Sequence, residues 1–333
     1  MNKRPRLTEI AQKAGVSQAT VSLVLNEVPN ARIAAATRER VQAIAAEMGY
    51  TRKAALQRGG APVIGLLIDE VVTTPFAPPF IEGARLEAAS QGALLLACCT
   101  GGDPAVEAAT IETLRATRLQ GLIYASLVTR TVKPPEGIEG IPTVLLNCHA
   151  ARSALPSVVP GDVTGGFAAT MALVRAGHRR IAHIAGESWG EAARDRETGW
   201  RRALASADLP ADPALLAGPA WTAISGREAA LRLLDMDDPP TAIFCFNDRV
   251  ALGVYEAAAE RGLRIPDDLS VVGFDNDEIA ATLLPPLTTL VLPHDEMARW
   301  AVDRLLAPQG TAPLRMKIDC ELVERASVSR PAI

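Results

Sequence analysis

LTEIAQKAGVSQATVSLVLN, residues 7–26, reads as two short helices folded around a single glycine. Leu7, Ile10, Ala11 and Ala14 recur at helical spacing, and Gly15 follows where the chain must turn through a left-handed conformation that glycine adopts most cheaply. Ser17 is then an N-cap, its hydroxyl placed to accept from the backbone N–H of Ala19 or Thr20. Val21, Val24 and Leu25 supply the inward face of the second helix, leaving Gln18, Ala19, Ser22 and Leu23 outward. Ala11 is small enough to let the helices approach, so Ala11, Gly15 and Val21 suit a helix-turn-helix that presents its second helix to DNA. An ordinary αα-hairpin is the alternative that spacing alone leaves open.

Charge favours the DNA reader. Residues 1–60 carry ten Lys/Arg against four Glu, a balance of +6. Residues 61–333 hold the remaining 24 basic and 34 acidic groups, for a chain total of −4. A basic head on an acidic body is what a protein that holds phosphates at one end requires.

The 333 residues, 48% of them hydrophobic, can bury a large core, and after a head of about 60 residues there is room for roughly two further domains. The opening MNKRPRLTEI has no apolar run behind its basic residues, so neither a secretory signal nor a membrane span is expected, and the predicted location is the cytoplasm, on the nucleoid. Five cysteines without a CxxC pair read as buried free thiols, and four histidines without ligand spacing predict no metal; no cofactor is implied.

Beyond residue 61, short apolar runs alternate with amphipathic ones. Strands are predicted at 63–68, 93–99, 121–127, 143–148, 180–186, 242–247, 269–275 and 288–292. Helices are predicted at 79–91, 104–118, 163–176, 194–207, 225–234, 248–262 and 294–307, with Pro/Ala-rich loops at 150–160 and 208–220. This alternation predicts an α/β body of two doubly wound parallel sheets with helices on both faces. Neither GxGxxG, GxxxxGK[ST] nor GxSxG is present, which leaves dinucleotide, NTPase and hydrolase chemistry without support.

The whole chain resembles the lactose-repressor and galactose-repressor (LacI/GalR) family of bacterial transcription regulators. The resemblance rests on AGVSQATVSLVLN (14–26), TRERVQAIAAEMGY (37–50), LVRAGHRRIAHIAGE (173–187), RETGWRRAL (196–204), FNDRVALGVYEAAAERGLRIPDDLSVVGFDND (246–277) and PPLTTL (285–290). It implies a helix-turn-helix head at 1–49, a hinge at 50–61, and a body folded like periplasmic sugar-binding proteins. One effector sub-domain would comprise 62–160 and 293–322, the other 161–292 and 323–333. It also implies a homodimer on double-stranded operator DNA, with a small sugar-like effector in the cleft between the sub-domains. The C-terminus lacks a heptad run, so a dimer is expected rather than a coiled-coil tetramer.

In such sheets ligands bind beyond the carboxyl ends of the strands. Asn247 follows one predicted strand, Asp275 another and Asn147 a third, while Arg196 opens a helix. An arginine, a carboxylate and a carboxamide can read sugar hydroxyls as donors and acceptors, with an aromatic face covering the ring. By resemblance, Arg196, Asn247 and Asp275 line the effector cleft and Trp221 stacks there. Phe76, Ala77, Pro78 and Phe80 are expected to supply the opposite wall. Asn147 and Asp162 are open between ligand contact and structure, and Asp248 is read as the cap of the helix beginning at Arg249.

Departures from the family pattern carry their own information. Leu23 stands where most relatives have arginine, and leucine cannot donate to guanine O6 and N7. Gln18 is therefore expected to make the main polar base contact, with Ala19 and Leu23 on apolar edges. Thr20 and Ser22 are placed for phosphate oxygens and Asn26 for a phosphate or a C-cap, with the capping Ser17 also counted among the DNA-binding residues. Tyr50 opens the hinge YTRKAALQRGGAP (50–62), which lacks the usual Pro-Asn pair and is about three residues short. Leu56 is either a minor-groove wedge or part of a flexible cationic linker. Arg6 and Ala34 occupy cap positions where Thr and Ser are common.

A DNA-binding repressor is thus the leading reading, with a non-sugar effector such as a nucleoside or purine, or a co-repressor, as its alternative. A solute-binding protein would share the body without the head. An enzyme is not expected: Asp275 with Asp277 is the nearest approach to paired carboxylates, and side chains two apart on a loop need not converge.

Overall fold

A computed structural model of the chain describes residues 7–25, 33–48, 61–71, 76–151, 155–307 and 315–331. The chain divides into two compact units, a head within residues 1–61 and a body that holds nearly all of the remainder. In the head, α1 (Leu7–Ala14), α2 (Gln18–Leu25) and α3 (Ala35–Glu47) pack around Ile10, Ala11, Ala14, Val21, Val24, Val41 and Ala45. These are the apolar positions that the helical spacing of residues 7–25 selects, so the period of the sequence and the burial agree.

The body follows in the order β1 (Val63–Ile68), α4 (Ala77–Ser90), β2 (Leu94–Cys99), α5 (Pro104–Arg115), β3 (Leu119–Thr131), β4 (Thr143–His149), β5 (Ser157–Pro160), α6 (Asp162–Ala176), β6 (Ile181–Ile184), α7 (Glu191–Ser206), β7 (Leu216–Ala217), α8 (Ala223–Leu234), β8 (Ala242–Cys245), α9 (Asp248–Glu260), β9 (Ser270–Val272), α10 (Glu278–Thr282), β10 (Thr289–Leu290), α11 (His294–Leu306), β11 (Arg315–Ile318) and β12 (Leu322–Val323). A six-stranded parallel sheet has the order β11-β5-β4-β3-β1-β2, and a four-stranded parallel sheet the order β7-β6-β8-β9. The chain returns late to the first sheet, where α11 packs on β3, β4 and β5 and β11 pairs with β5, while β12 pairs antiparallel with β10. No helix among the described residues is long and apolar enough to cross a membrane.

Helices on both faces explain why β1, VIGLLI, is buried along its whole length. The core around the second sheet centres on Trp200, Phe244 and Phe274, all fully buried, and each contributes roughly 2–3 kcal/mol by removing apolar surface from water. Helices α6 and α7 touch backbone to backbone. A Cβ on Gly166 would lie 2.4 Å from the Arg196 carbonyl oxygen, and one on Gly199 would lie 2.4 Å from that of Val163.

Two segments read as loops contain strands. Ser157–Pro160 is the fully buried β5, held between β4 and β11, and Leu216–Ala217 is β7. Both are too short to show a period, and the proline of β5 stands at its last residue. The cysteine expectation also needs correction. Cys148, Cys245 and Cys320 are buried, but Cys98 is half-buried and Cys99 exposed, because β2 is an edge strand with Leu94 41% and Leu96 40% exposed.

Candidate DNA-reading head and ligand cleft

The turn of the head has the geometry its sequence demands. Gly15 stands at φ +65°, and the Val16 N–H reaches back to the Ala11 carbonyl at 3.1 Å, closing α1. Ser17 Oγ accepts from the Thr20 N–H at 3.1 Å and lies 2.9 Å from Thr20 Oγ1. Ser17 caps α2 as expected, and its hydroxyl and that of Thr20 are partly occupied with each other. Gln18 is exposed at the first turn of α2, in the outward position assigned to it. Asn26, Tyr50 and Leu56 lie outside the described residues, as do the side chains of Ala19, Ser22 and Leu23. Ala34 leaves α3 without a side-chain cap.

In the body a cleft opens where the carboxyl ends of the strands of both sheets converge. Arg196 of α7 forms its floor and is 3% exposed. Its Nε donates to Asp162 at 2.8 Å, and its Nη1 donates to the Phe246 carbonyl at 2.6 Å and to Asp275 at 3.5 Å. The guanidinium is also sandwiched, 3.6 Å from the Phe274 ring centre and 4.7 Å from that of Phe246. Burial opposes its charge, but Asp162 and Asp275 outweigh burial and hold it protonated. Asp275 experiences the reverse balance: burial pushes its carboxyl well up, against the pull of Arg196.

The expected wall residues separate into two groups. Phe76, Asn147, Arg196, Trp221, Asn247 and Asp275 all line the cleft. Ala77, Pro78 and Phe80 do not. Ala77 and Phe80 lie on the buried side of α4 and Pro78 points to solvent, because helix geometry turns successive residues to different faces. Phe80 packs against His294, whose ring centre is 4.3 Å away and which does line the cleft.

Asn147 stands at φ +56° and Asp275 at φ +110°, backbone strain concentrated at two strand ends that face the cleft. Asn147 accepts from Thr129 at 2.7 Å and donates to the Ser126 and Leu127 carbonyls at 2.9 and 3.1 Å. It thereby fixes the irregular stretch of β3 that brings Leu127, Val128 and Thr129 to the cleft. Asn247, not Asp248, caps α9: its Oδ1 accepts from the Val250 N–H at 2.7 Å, while its Nδ2 donates to the Trp221 carbonyl at 3.2 Å. Asp248 is instead buried inside the first turn, accepting from Thr289 at 2.6 Å and from the Asp277 N–H at 2.8 Å, and burial pushes its carboxyl up to about 7. Asp162 lies behind Arg196 as its partner.

Sequence reasoning missed Leu127, Val128, Thr129, Glu187, Trp189, Phe246 and His294, all of which line the cleft. Phe246 carried a signal, since it directly precedes Asn247, and its ring centre lies 5.3 Å from that of Trp221. Trp189 is 60% exposed, an unusual state for that side chain. Burial lowers the His294 pKa to about 3, so this imidazole is neutral.

One residue past the cleft-lining Gly190, Glu191 of α7 contacts His149 at 2.5 Å and Arg315 at 2.6 Å. His149 ends β4 and Arg315 begins β11, so one carboxylate ties α7 to two strands of the six-stranded sheet. Burial works to raise the Glu191 carboxyl, but hydrogen bonds from His149 and Arg315 outweigh it and hold it below its ordinary range.

Comparison with known proteins places this geometry. Residues 6–53 match the family described as bacterial regulatory proteins, lacI family, and residues 170–328 match a periplasmic binding protein-like domain. The HTH-type transcriptional regulator DegA of Bacillus subtilis is 35% identical over 87% of this chain and 87% of its own length. Among solved structures, the lac repressor dimer bound to operator and the anti-inducer ONPF has a TM-score of 0.68 at 27% identity, covering 98% of this chain and 100% of its own. A complex of the transcriptional regulator CelR with cellobiose has a TM-score of 0.68 at 28% identity, covering 97% of this chain and 100% of its own. With a helix-turn-helix head and a cleft-bearing α/β body on one chain, this protein belongs to the lacI family of bacterial regulatory proteins.

Proposed function

We propose that the protein represses transcription as a homodimer on a pseudo-palindromic operator, under the control of a small sugar-like effector held in the cleft of the body. The observation that carries the DNA half is the capped α2, which follows Gly15 and presents an exposed Gln18. Two such helices on a two-fold dimer fit two half-sites about one helical turn apart, or a multiple of that. Likeness to a repressor dimer seen on its operator supports this assembly. The effector half draws on hydroxyl-reading groups, Arg196, Asp275 and Glu187, set among the aromatic faces of Phe76, Trp221 and Phe246. A related complex with cellobiose supports a sugar, while the flat aromatic walls also suit a nucleoside or purine base. Effector binding alters the geometry of the two sheets and shifts operator affinity by its differential affinity for the two states.

Selection from randomised duplex DNA tests the reading: two inverted half-sites are expected, with no fixed guanine at the position that an arginine would read in place of Leu23. Gln18→Ala should cost about 1–3 kcal/mol and relax specificity at one base pair of each half-site. Recovery of no inverted repeat refutes the dimeric reader, and a uniform loss across all sequences refutes the role of Gln18.

A further inference from the structure

We propose that the effector of this cleft carries no net negative charge, so that the protein responds to an unphosphorylated ligand and rejects its phosphorylated counterpart. The proposal rests on the reading that the cleft is the effector site and deepens it. Three features of the cleft converge on it.

The first is the state of the cation. Among the described residues lining the cleft, Arg196 is the one basic side chain that is charged, since burial keeps His294 neutral. Arg196 is already matched by Asp162 at 2.8 Å and Asp275 at 3.5 Å, and two of its remaining attractions go to aromatic faces. Its Nη2, with no described protein partner, is left to donate to a neutral oxygen. Arg194, which precedes it by two residues on α7, is engaged with the Ser188 and Trp189 carbonyls at 2.6 and 3.1 Å. A phosphate needs a cation or a cluster of donors that is not already balanced.

The second is the set of helix N-termini. Helices α4, α6, α7, α8, α9 and α11 all begin at or within two residues of cleft-lining residues, and such ends attract anions. Four of them hold acidic groups in their own first turn, Asp162 on α6, Glu191 on α7, Asp248 on α9, and Asp295 and Glu296 on α11, while α4 and α8 have none there. Asn247 further occupies a backbone N–H of α9. Acidic charge thus opposes an anion at four of these six ends.

The third is Glu187, a half-buried cleft residue whose carboxylate has no described partner. An unpaired carboxylate accepts from hydroxyl or amino donors and repels an anion. A single like-charge contact in a partly dry site weakens binding by about tenfold to a hundredfold.

The test uses the full-length protein, tryptophan fluorescence and matched probes: ribose with ribose 5-phosphate, glucose with glucose 6-phosphate, adenosine with AMP, cellobiose, and inorganic phosphate as the minimal anion. Each is titrated into the parent and into Ala193→Trp, which fills the cleft at a buried lining position; circular dichroism verifies that this variant folds. Saturable binding is expected from uncharged probes only, lost in Ala193→Trp, with phosphorylated partners at least about tenfold weaker and inorganic phosphate silent. A phosphorylated probe that binds as tightly as its partner, or a saturable phosphate response, in either case lost in Ala193→Trp, overturns the charge assignment and leaves the cleft as effector site. Binding that persists in Ala193→Trp overturns the cleft reading itself.

Discussion

Replacing Gly166 with alanine adds one methyl group at the crossing of α6 and α7, and the added carbon would lie 2.4 Å from the Arg196 carbonyl oxygen and 2.9 Å from its Cα. Side-chain carbons essentially never approach within 3.0 Å of such atoms, so the two backbones must separate by the 0.6 Å difference or more. The neighbouring Gly199, 2.4 Å by its own virtual Cβ from Val163, offers no slack in the opposite direction. Overpacking of this kind costs about 1–3 kcal/mol, and alanine returns about 1 kcal/mol of helix propensity. The shift also stretches the 2.6 Å bond from Arg196 to the Phe246 carbonyl, a charge-assisted bond worth about 1.5–3 kcal/mol. The net expectation is a loss of about 1–3 kcal/mol, read by thermal unfolding followed by circular dichroism, together with weaker binding of whichever probe the cleft takes. Stability equal to or above that of the parent would show that α6 and α7 part freely and that the glycine contact does not position Arg196.

Two further outcomes follow from groups away from the cleft floor. His183 is fully buried with Nδ1 on the Phe244 carbonyl at 3.0 Å and no partner for Nε2, and burial lowers its pKa from 6.5 to about 4. Unfolding therefore takes up a proton between those values, so stability is full above pH 6.5 and falls by about 1.4 kcal/mol per unit below it; in urea titrations at pH 7.5 and 5.0, His183→Leu should gain on the parent at the lower pH, and an unchanged difference refutes the assignment. Glu191→Gln removes the charge that joins His149 and Arg315, and should cost about 1 kcal/mol or somewhat more, since Arg315 is partly exposed; because the Glu191 pKa is depressed, that contribution is present at neutral pH and lost on acidification through its folded pKa, so a variant equal to the parent at pH 7.5 argues that the contact contributes nothing.

What the sequence made legible were features whose cause is local. Gly15, Ser17 and the spacing of Ile10, Ala14 and Val21 state the head within a few residues of each other, and each predicted helix of the body lies within a few residues of its expected bounds, while the five-residue α10 went unpredicted. The strand β5 escaped because four residues flanked by loops carry no period, and its burial comes from β4 and β11, the latter more than 150 positions away in the chain. At the cleft, Arg196, Trp221, Asn247 and Asp275 were accessible through resemblance, whereas Leu127–Thr129 reach it through an irregularity in β3 fixed by Asn147. The exchange of roles between Asn247 and Asp248 has a similar origin, since either residue can cap a helix and the contacts with Thr289 and the Asp277 N–H draw Asp248 inward.

The bare edge of β2 bears on how this chain survives synthesis. Leu94 and Leu96 stand exposed on a strand whose outer backbone groups have no neighbouring strand among the described residues, which is the arrangement that recruits other chains indiscriminately. A second copy seated there would turn an aggregation hazard into an assembly signal, and would make folding stability a function of protomer concentration. Dilution alone would then lower the unfolding temperature, and the concentration of the protein would help to set the fraction of it that stays folded.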